Sequence, residues 1–286
     1  MKLSVVIPAH NEADSLAPVL EALYAELCAE NIAHELLVVN DNSRDGTCDV
    51  LQALTHVIPT LRPLDNPPPN GFGLAVRHGL EHFRGDVVAI VMADGSDAPR
   101  DLVRFFRKIE EGYDCAFGSR FSQGAEVVDY PILKLWLNRF VNAGIRVLFG
   151  LRYNDVTNAF KMYRADVIRG LKPFLSHHFN LTVELPLKAI VRGYSYAVIP
   201  NSWHNRKTGV SKLQMKEMGS RYLFIIIYCL IERWLSAGDY RKKHAAAPPP
   251  RTGKDPETVT SETNRNTVTN RPGPSGREGL AGGEAP

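Results

Sequence analysis

Short apolar runs alternate with helix-length amphipathic stretches through the first half of this 286-residue chain. The apolar runs cover residues 3–7, 35–39, 86–91 and 114–118, and the amphipathic stretches cover residues 13–30, 45–54, 72–83 and 99–111. Strands that alternate with helices predict a mostly parallel sheet with helices on both faces. In such a sheet the ligand site lies at the carboxyl ends of the strands. The sequence therefore predicts an α/β fold with functional residues in the loops that follow the strands.

The second half of the chain is less regular. We predict helices over residues 131–148 and 181–192, strands over 159–163 and 194–199, and one or two amphipathic helices over 212–235. Residues 245–286 are rich in Pro, Gly, Thr, Asn and Glu and contain almost no large apolar side chains. Because such a segment cannot bury enough apolar surface to offset the entropy cost of ordering, we predict a disordered tail.

Composition and charge exclude several classes of protein. The formal net charge is +3, and no basic stripe with interleaved aromatic residues occurs, so we expect no nucleic-acid partner. The four cysteines are scattered without a Cys-x-x-Cys pair, which indicates a reducing compartment. Met1-Lys2 leads directly into the first apolar run, and we expect no signal peptide. The longest uncharged apolar run, residues 222–231, is shorter than the roughly 20 residues of a spanning helix, so we expect no transmembrane span.

Polar clusters follow three of the predicted strands, within residues 6–12, 38–47 and 90–97. Each cluster by itself is also typical of ordinary turns and helix N-caps. The carboxyl ends of parallel strands meet at one edge of a sheet, however, and all three clusters would then face one crevice. A carboxylate there can accept a hydrogen bond from a base or from ribose hydroxyls, and another can hold a divalent cation.

With these motifs the chain resembles glycosyltransferase family 2, in particular its dolichyl- or polyprenyl-phosphate mannosyl- and glucosyltransferase branch. The resemblance runs from residue 3 to about residue 212 and also includes the motifs at residues 70–75, 92–94, 118–120, 158–161 and 206–212. It implies a GT-A fold over residues 1–212. Amphipathic helices over residues 213–244 and the tail over 245–286 would follow. The segment 213–244 suits a membrane surface, with packing into the core or a homodimer contact as the alternative.

The resemblance also implies roles for individual residues. The nucleotide would be bound by Pro8, Ala9, Asn11, Glu12, Asp41, Ala93 and Asp94. Asp94 would be the last acid of the family's Asp-x-Asp motif and the ligand of Mg²⁺ or Mn²⁺, and Arg120 would face the phosphates. Asp155 would be an acid on the acceptor side, with a turn or a helix N-cap as its alternative role. The acceptor or its phosphate would be bound by Arg139, Asn142, Arg206, Ser211 and Lys212.

Two positions depart from the family's pattern. Asn40 stands where the family usually has an acid, and Met92 stands where the Asp-x-Asp motif has its first acid. A methionine cannot ligate Mg²⁺ or Mn²⁺, which prefer hard oxygen ligands. The cation would then depend on Asp94, the diphosphate and water, with Ser96 or Asp97 as further candidates.

The implied reaction is transfer of a sugar, mannose or glucose, with inversion, from a GDP- or UDP-linked donor to a polyprenyl phosphate. A lipid phosphate is already anionic, whereas a hydroxyl acceptor would require a carboxylate base such as Asp155 or Glu184. The alternatives are transfer to a polysaccharide or other hydroxyl acceptor, and a non-catalytic protein that binds sugar nucleotides. A lipid-phosphate acceptor implies a cytoplasmic protein that is peripheral at the inner face of the membrane.

Overall fold

The computed structural model describes residues 1–204, 215–236 and 239–240. The predicted phosphate ligands Arg206, Ser211 and Lys212, the domain boundary at residue 212 and the predicted tail over residues 245–286 all lie outside the described residues. Each of them therefore remains a prediction.

The first half of the chain alternates five strands with four helices, one strand more than the sequence predicts. The elements are β1 Leu3–Ala9, α1 Ala13–Ala29, β2 His34–Asn40, α2 Thr47–Thr55, β3 Leu61–Asp65, α3 Phe72–His82, β4 Val87–Ile90, α4 Pro99–Glu110 and β5 Cys115–Ser119. The second half contributes β6 Val127–Val128, α5 Ile132–Phe149, β7 Lys161–Arg164, α6 Ala165–Gly170, α7 Leu181–Val191, β8 Tyr196–Pro200, β9 Trp203–His204 and α8 Met215–Leu235.

Seven strands form one sheet in the order β3-β2-β1-β4-β7-β5-β8, and β6 pairs with β9 in a separate ribbon. Within the large sheet only β7 runs antiparallel to its neighbours, β4 and β5. The prediction of a mostly parallel sheet is therefore confirmed. Since β1 pairs in parallel with both β2 and β4, the loops that follow these three strands emerge at the same edge.

Two apolar layers cover the two faces of the sheet. Along β1 the residues alternate, so that Val5 and Ile7 pack with α1, α2 and α4, whereas Val6 packs with α3, α5, α7 and α8. This is the period of two expected of a strand buried on both faces. Leu16, Leu20, Leu23 and Leu27 of α1 are all buried, as their helical spacing predicts.

The sequence analysis missed β3, α6 and the β6–β9 ribbon. β3 has no apolar run, because Arg62 and Pro63 interrupt it. Proline is tolerated there because β3 lies at the edge of the sheet.

Helix α8 packs against α7 and is part of the core of the second face. Ile225 and Cys229 are fully buried. A bidentate ion pair also joins the helix to the end of α7, with Arg192 Nε 2.6 Å from Glu232 Oε1 and Nη2 2.9 Å from Oε2. Among the described helices, none has the length and apolar character that a bilayer-spanning segment requires.

Candidate active site

The loop after β1 and the loop after β2 are joined by hydrogen bonds. The backbone N–H of Asp41 donates to the carbonyl of Ala9 at 2.7 Å. The backbone N–H of Arg44 donates to Oδ1 of Asn11 at 2.7 Å, and Asn11 itself has a φ of 54°. Asparagine tolerates this left-handed conformation better than most residues. The predicted nucleotide ligands Pro8 and Ala9 therefore lie at the end of β1, and Asn11, Glu12 and Asp41 lie in the two adjoining loops.

The carboxylate of Asp41 is buried and accepts hydrogen bonds through both oxygens. The side-chain amides of Asn66 and Asn70 donate to Oδ1 at 2.7 and 3.1 Å, and the backbone N–H of Gly71 donates to Oδ2 at 2.9 Å. Gly71 is the N-cap of α3, with a φ of 143°. Asp41 thus places a negative charge at the positive end of α3 and holds the loop that precedes it.

Replacement of Asp41 by asparagine should lower the free energy of unfolding by about 1–3 kcal/mol, because an amide offers a donor where the Gly71 N–H needs an acceptor. Chemical denaturation measures this loss. Asp49→Asn is the control, since Asp49 is an exposed acid in the first turn of α2 and its change should stay within about 0.5 kcal/mol. Equal stabilities of the two variants would contradict the structural role of Asp41.

The structure gives a physical reason for the asparagine at position 40. The side-chain amide of Asn40 donates to Oδ1 of Asp65 at 2.9 Å, and its Oδ1 accepts from the backbone N–H of Ser43 at 3.2 Å. An aspartate at this position would face the carboxylate of Asp65 and raise the energy of both charged groups. Asn40 therefore replaces one of the family's two acids at a position that contacts another acid, Asp65 of β3.

The third polar loop, after β4, forms a tight turn. Oδ1 of Asp94 accepts from the backbone N–H of Ser96 at 3.1 Å, and Gly95 has a φ of 72°. Oδ2 of Asp97 accepts from the backbone N–H of Met92 at 3.3 Å. Burial, followed by the nearby charge of Asp94, raises the pKa of Asp97 to about 7. The turn thus places a second acid, Asp97, beside the backbone of Met92, the residue that stands where the motif has its first acid.

Arg120 and Asp155 form a buried bidentate ion pair. Nε and Nη2 of Arg120 lie 2.8 Å from Oδ2 and Oδ1 of Asp155, and the backbone N–H of Arg120 donates to Oδ2 at 3.0 Å. Burial by itself lowers the pKa of Arg120, but the charge and hydrogen bonds of Asp155 outweigh it, and the pKa is raised. Asp155 therefore fixes the orientation of the guanidinium that the sequence analysis assigned to the phosphates.

The two predicted acceptor residues on α5 lie in different environments. Asn142 is buried, and its amide donates to Oγ1 of Thr157 at 3.0 Å while its Oδ1 accepts from the backbone N–H of Thr157 at 3.3 Å. Arg139 is exposed, with its guanidinium carbon 4.7 Å from the ring centre of Phe121. Asn142 thus positions the loop after Asp155, whereas the guanidinium of Arg139 is exposed to solvent and accessible to an anionic group.

A cavity of about 370 Å³ lies beside the third loop. Its walls include Asp94, Asp97, Arg120 and the loop at residues 157–159. Helices α5, α7 and α8 complete it with residues that the sequence analysis did not single out as ligands, namely Lys134, Leu137, Asn138, Val141, Thr182 and Gly219. Residues 8–12 and Asp41 are not among the lining residues. The cavity is therefore a compartment at the third loop, and the first two loops do not line it.

Lys161 and Glu184 are buried ionisable residues, and Lys161 contacts the backbone of Thr182, which lines this cavity. Nζ of Lys161 donates to the carbonyls of Val156 and Thr182 at 3.0 and 3.2 Å, and burial lowers its pKa to about 7. Glu184 pairs with Lys188 at 2.6 Å and accepts from two backbone N–H groups. Lys161 thus joins two walls of the cavity, and Glu184, a candidate base in the sequence analysis, has a structural role.

The exposed sides of α5 and α8 carry large apolar side chains. We call this surface the α5–α8 apolar face, and its members are Ile132, Leu133, Trp136, Phe140, Val147, Leu223, Phe224, Ile227, Ile231, Trp234 and Leu235. The two helices contact each other, and both line the cavity. Exposed apolar patches of this extent mark sites of interaction with proteins, membranes or apolar ligands.

The donor atoms at the third loop suit a hard divalent cation. The carboxylates of Asp94 and Asp97 and the hydroxyl of Ser96 are oxygen donors that line the cavity. Mg²⁺ and Mn²⁺ prefer oxygen ligands, and Mg²⁺ often uses only one or two carboxylates and keeps several waters. A cation held there would lie beside Arg120, where both positive charges could face an anionic group in the cavity.

Comparison with known proteins finds a matching family and several relatives. The family described as Glycosyl transferase family 2 matches residues 4–171. A polyprenol monophosphomannose synthase of Mycolicibacterium smegmatis is 32% identical over 215 residues, which cover 73% of this chain and 80% of that protein. An undecaprenyl-phosphate mannosyltransferase of Micrococcus luteus is 28% identical over 241 residues, 82% of this chain and 96% of that protein.

Solved structures give the same fold. Glucosyl-3-phosphoglycerate synthase from Mycobacterium tuberculosis, crystallised with Mn²⁺, uridine diphosphate and glucosyl-3-phosphoglycerate, superposes with a TM-score of 0.59 at 17% identity. The match covers 81% of this chain and 79% of that one. A complex of that enzyme with Mg²⁺ and uridine diphosphate gives the same TM-score.

Proposed function

This chain belongs to glycosyltransferase family 2 and has the GT-A fold, and we propose that it transfers mannose or glucose, with inversion, from a nucleotide-diphosphate sugar to a polyprenyl phosphate. The glycosyltransferase activity follows from the family. The donor nucleotide, the acceptor and the roles of individual residues are proposals that the following observations support.

The observation that carries the proposal is the composition of the cavity walls. The lining combines the charged residues Asp94, Asp97 and Arg120 with apolar and aromatic side chains, among them Leu137 and Val141 of α5, Phe179 before α7 and Tyr222 of α8. An acceptor with an anionic head and an apolar chain matches both kinds of lining residue. Lys134, on α5, adds a cation to the wall.

The departing nucleoside diphosphate gains negative charge as the bond to the anomeric carbon breaks. Preorganised positive groups lower the energy of that state. When bound at the third loop, Mg²⁺ or Mn²⁺ would supply Lewis-acid stabilisation of the diphosphate. Arg120 would face the same phosphates, held in place by Asp155.

The state of Asp155 favours a phosphate acceptor over a hydroxyl. A base must reach the proton that it removes, whereas Asp155 is fully buried and bound through both oxygens to Arg120. A polyprenyl phosphate is already ionised and needs no such base. The anionic oxygen can then attack the anomeric carbon directly, which gives inversion.

The α5–α8 apolar face supports a peripheral location at the membrane. It carries Trp136 and Trp234, which suit a bilayer interface, and the exposed cations Arg139 and Arg146 lie on the same helix as Trp136. A lipid-linked acceptor could then reach the cavity from the bilayer. The nucleotide sugar would come from the cytoplasmic side.

A donor and acceptor screen tests the proposal. Purified protein with Mg²⁺ or Mn²⁺, each GDP- or UDP-sugar in labelled form and a short polyprenyl phosphate should give a labelled product that partitions into organic solvent. Label transferred only to a polysaccharide or other hydroxyl acceptor would instead establish the alternative acceptor. Donor binding without any transfer would indicate a sugar-nucleotide-binding protein, an alternative motivated by Met92.

A further inference from the structure

We propose that Asp97 replaces the acid missing at position 92, so that Asp94 and Asp97 together hold the divalent cation of this enzyme. The inference rests on the proposed function, and it concerns a residue that lies outside the family's Asp-x-Asp motif. Its carboxylate accepts a hydrogen bond from the backbone N–H of Met92 at 3.3 Å, so the acid lies next to the backbone of the position where the motif's first acid would be.

The backbone holds Asp97 in this orientation. Asp97 forms an antiparallel bridge with Trp203, and the N–H of His204 donates to the carbonyl of Ser96 at 3.2 Å. The turn at Gly95, with its φ of 72°, reverses the chain between Asp94 and Asp97. Both acids therefore line the same cavity, although three positions separate them along the chain.

The charge of Asp97 lacks a compensating cation in the described part of the chain. Its residue is only 8% exposed, and no lysine or arginine among the described residues forms an ion pair with it. Arg120 lies nearby but is bound by Asp155. A buried carboxylate beside a second acid is costly, and a divalent cation would remove that cost for both acids.

Asp101 is the natural comparison, because it is a buried acid that has its own partners. Its Oδ1 lies 3.0 Å from Nη1 of Arg104, and its Oδ2 accepts from the backbone N–H of Ser202 at 2.7 Å. Asp101 is not among the residues that line the cavity. It therefore serves as a matched control that shares burial and chemistry with Asp97 but not its position.

The test measures Mn²⁺ binding directly, by the electron paramagnetic resonance signal of free Mn²⁺ during titration of the full chain with UDP or GDP present. Asp97→Asn should raise the Mn²⁺ dissociation constant at least about tenfold. Asp101→Asn should leave the constant within about twofold while lowering the thermal midpoint, because it loses an ion pair. Met92→Asp combined with Asp97→Asn should recover most of the affinity, since it returns an acid to position 92.

The thermal midpoint without metal gives a second readout, and Asp97→Asn should not lower it. Asp97→Asn removes a buried charge next to Asp94, so its thermal midpoint without metal should equal or exceed that of the unmodified protein. If Asp97→Asn does not fold, the combined Met92→Asp, Asp97→Asn variant and Asp97→Ser carry the binding test instead.

The outcomes separate this inference from the proposed function. An unchanged Mn²⁺ constant in folded Asp97→Asn would overturn the role of Asp97, while transfer activity would leave the proposed function standing. A protein that binds Mn²⁺ through Asp97 but accepts no nucleotide sugar would retain the cation site and contradict the transferase. Absence of Mn²⁺ binding by the unmodified protein would overturn the inference.

Discussion

Asp155→Asn should lower the free energy of unfolding by about 3–5 kcal/mol, because it leaves the guanidinium of Arg120 buried without a matching charge. The side chain of Arg120 is only 9% exposed and that of Asp155 is fully buried, so hydration can replace only a small part of the lost interaction. Sugar transfer should fall by about 10²–10³-fold as well, since Arg120 would no longer be held toward the phosphates. Chemical denaturation and initial rates measure the two effects.

Two further variants separate stability from catalysis. Arg120→Met combined with Asp155→Leu replaces the pair by apolar side chains, and it should recover most of the lost stability without recovering transfer. Glu111→Gln breaks an exposed ion pair with Lys108 on the surface, and it should change stability by at most about 1 kcal/mol. Full activity in the apolar double variant would show that Arg120 does not act on the phosphates.

Serine substitutions at Trp136, Phe140 and Trp234 should reduce binding to vesicles of phosphatidylglycerol and phosphatidylcholine at least about a hundredfold. The three side chains are 72%, 78% and 71% exposed, and full burial of one aromatic side chain in an apolar medium contributes about 1.5–3 kcal/mol. Vesicle sedimentation measures the loss. Transfer to a long-chain polyprenyl phosphate in vesicles should fall in parallel, whereas nucleotide binding should not change.

The control for this triple variant is Val57→Ser, because Val57 is an apolar residue that is 65% exposed but lies after α2, on neither α5 nor α8. Its vesicle binding should equal that of the unmodified protein. Sedimentation velocity without lipid tests whether a second copy of the chain covers the α5–α8 apolar face. If the unmodified protein is a dimer that ignores vesicles and the triple variant is a monomer, the α5–α8 apolar face is a dimer interface.

Periodicity predicted most of the sheet and its covering helices, because buried strands and amphipathic helices have different repeats along the chain. Periodicity did not predict the edge strand β3, because Arg62 and Pro63 interrupt its apolar residues. The same limit applies to α5, whose apolar side chains predict a helix with an apolar side. Periodicity cannot tell whether that side meets the core or remains exposed, since both cases have the same spacing.

The motifs at the ends of β1, β2 and β4 indicated the family and the edge of the sheet at which we propose the site, because parallel strands bring distant loops to one place. Only the tertiary structure decided how the individual acids are used. Asp41 accepts a hydrogen bond from the backbone at the start of α3, and Asp155 forms an ion pair with Arg120. Asp97 accepts a hydrogen bond from the backbone of Met92. Residue type and spacing show which groups can carry charge. Their partners depend on chain segments far away in sequence, which come together only when the protein folds.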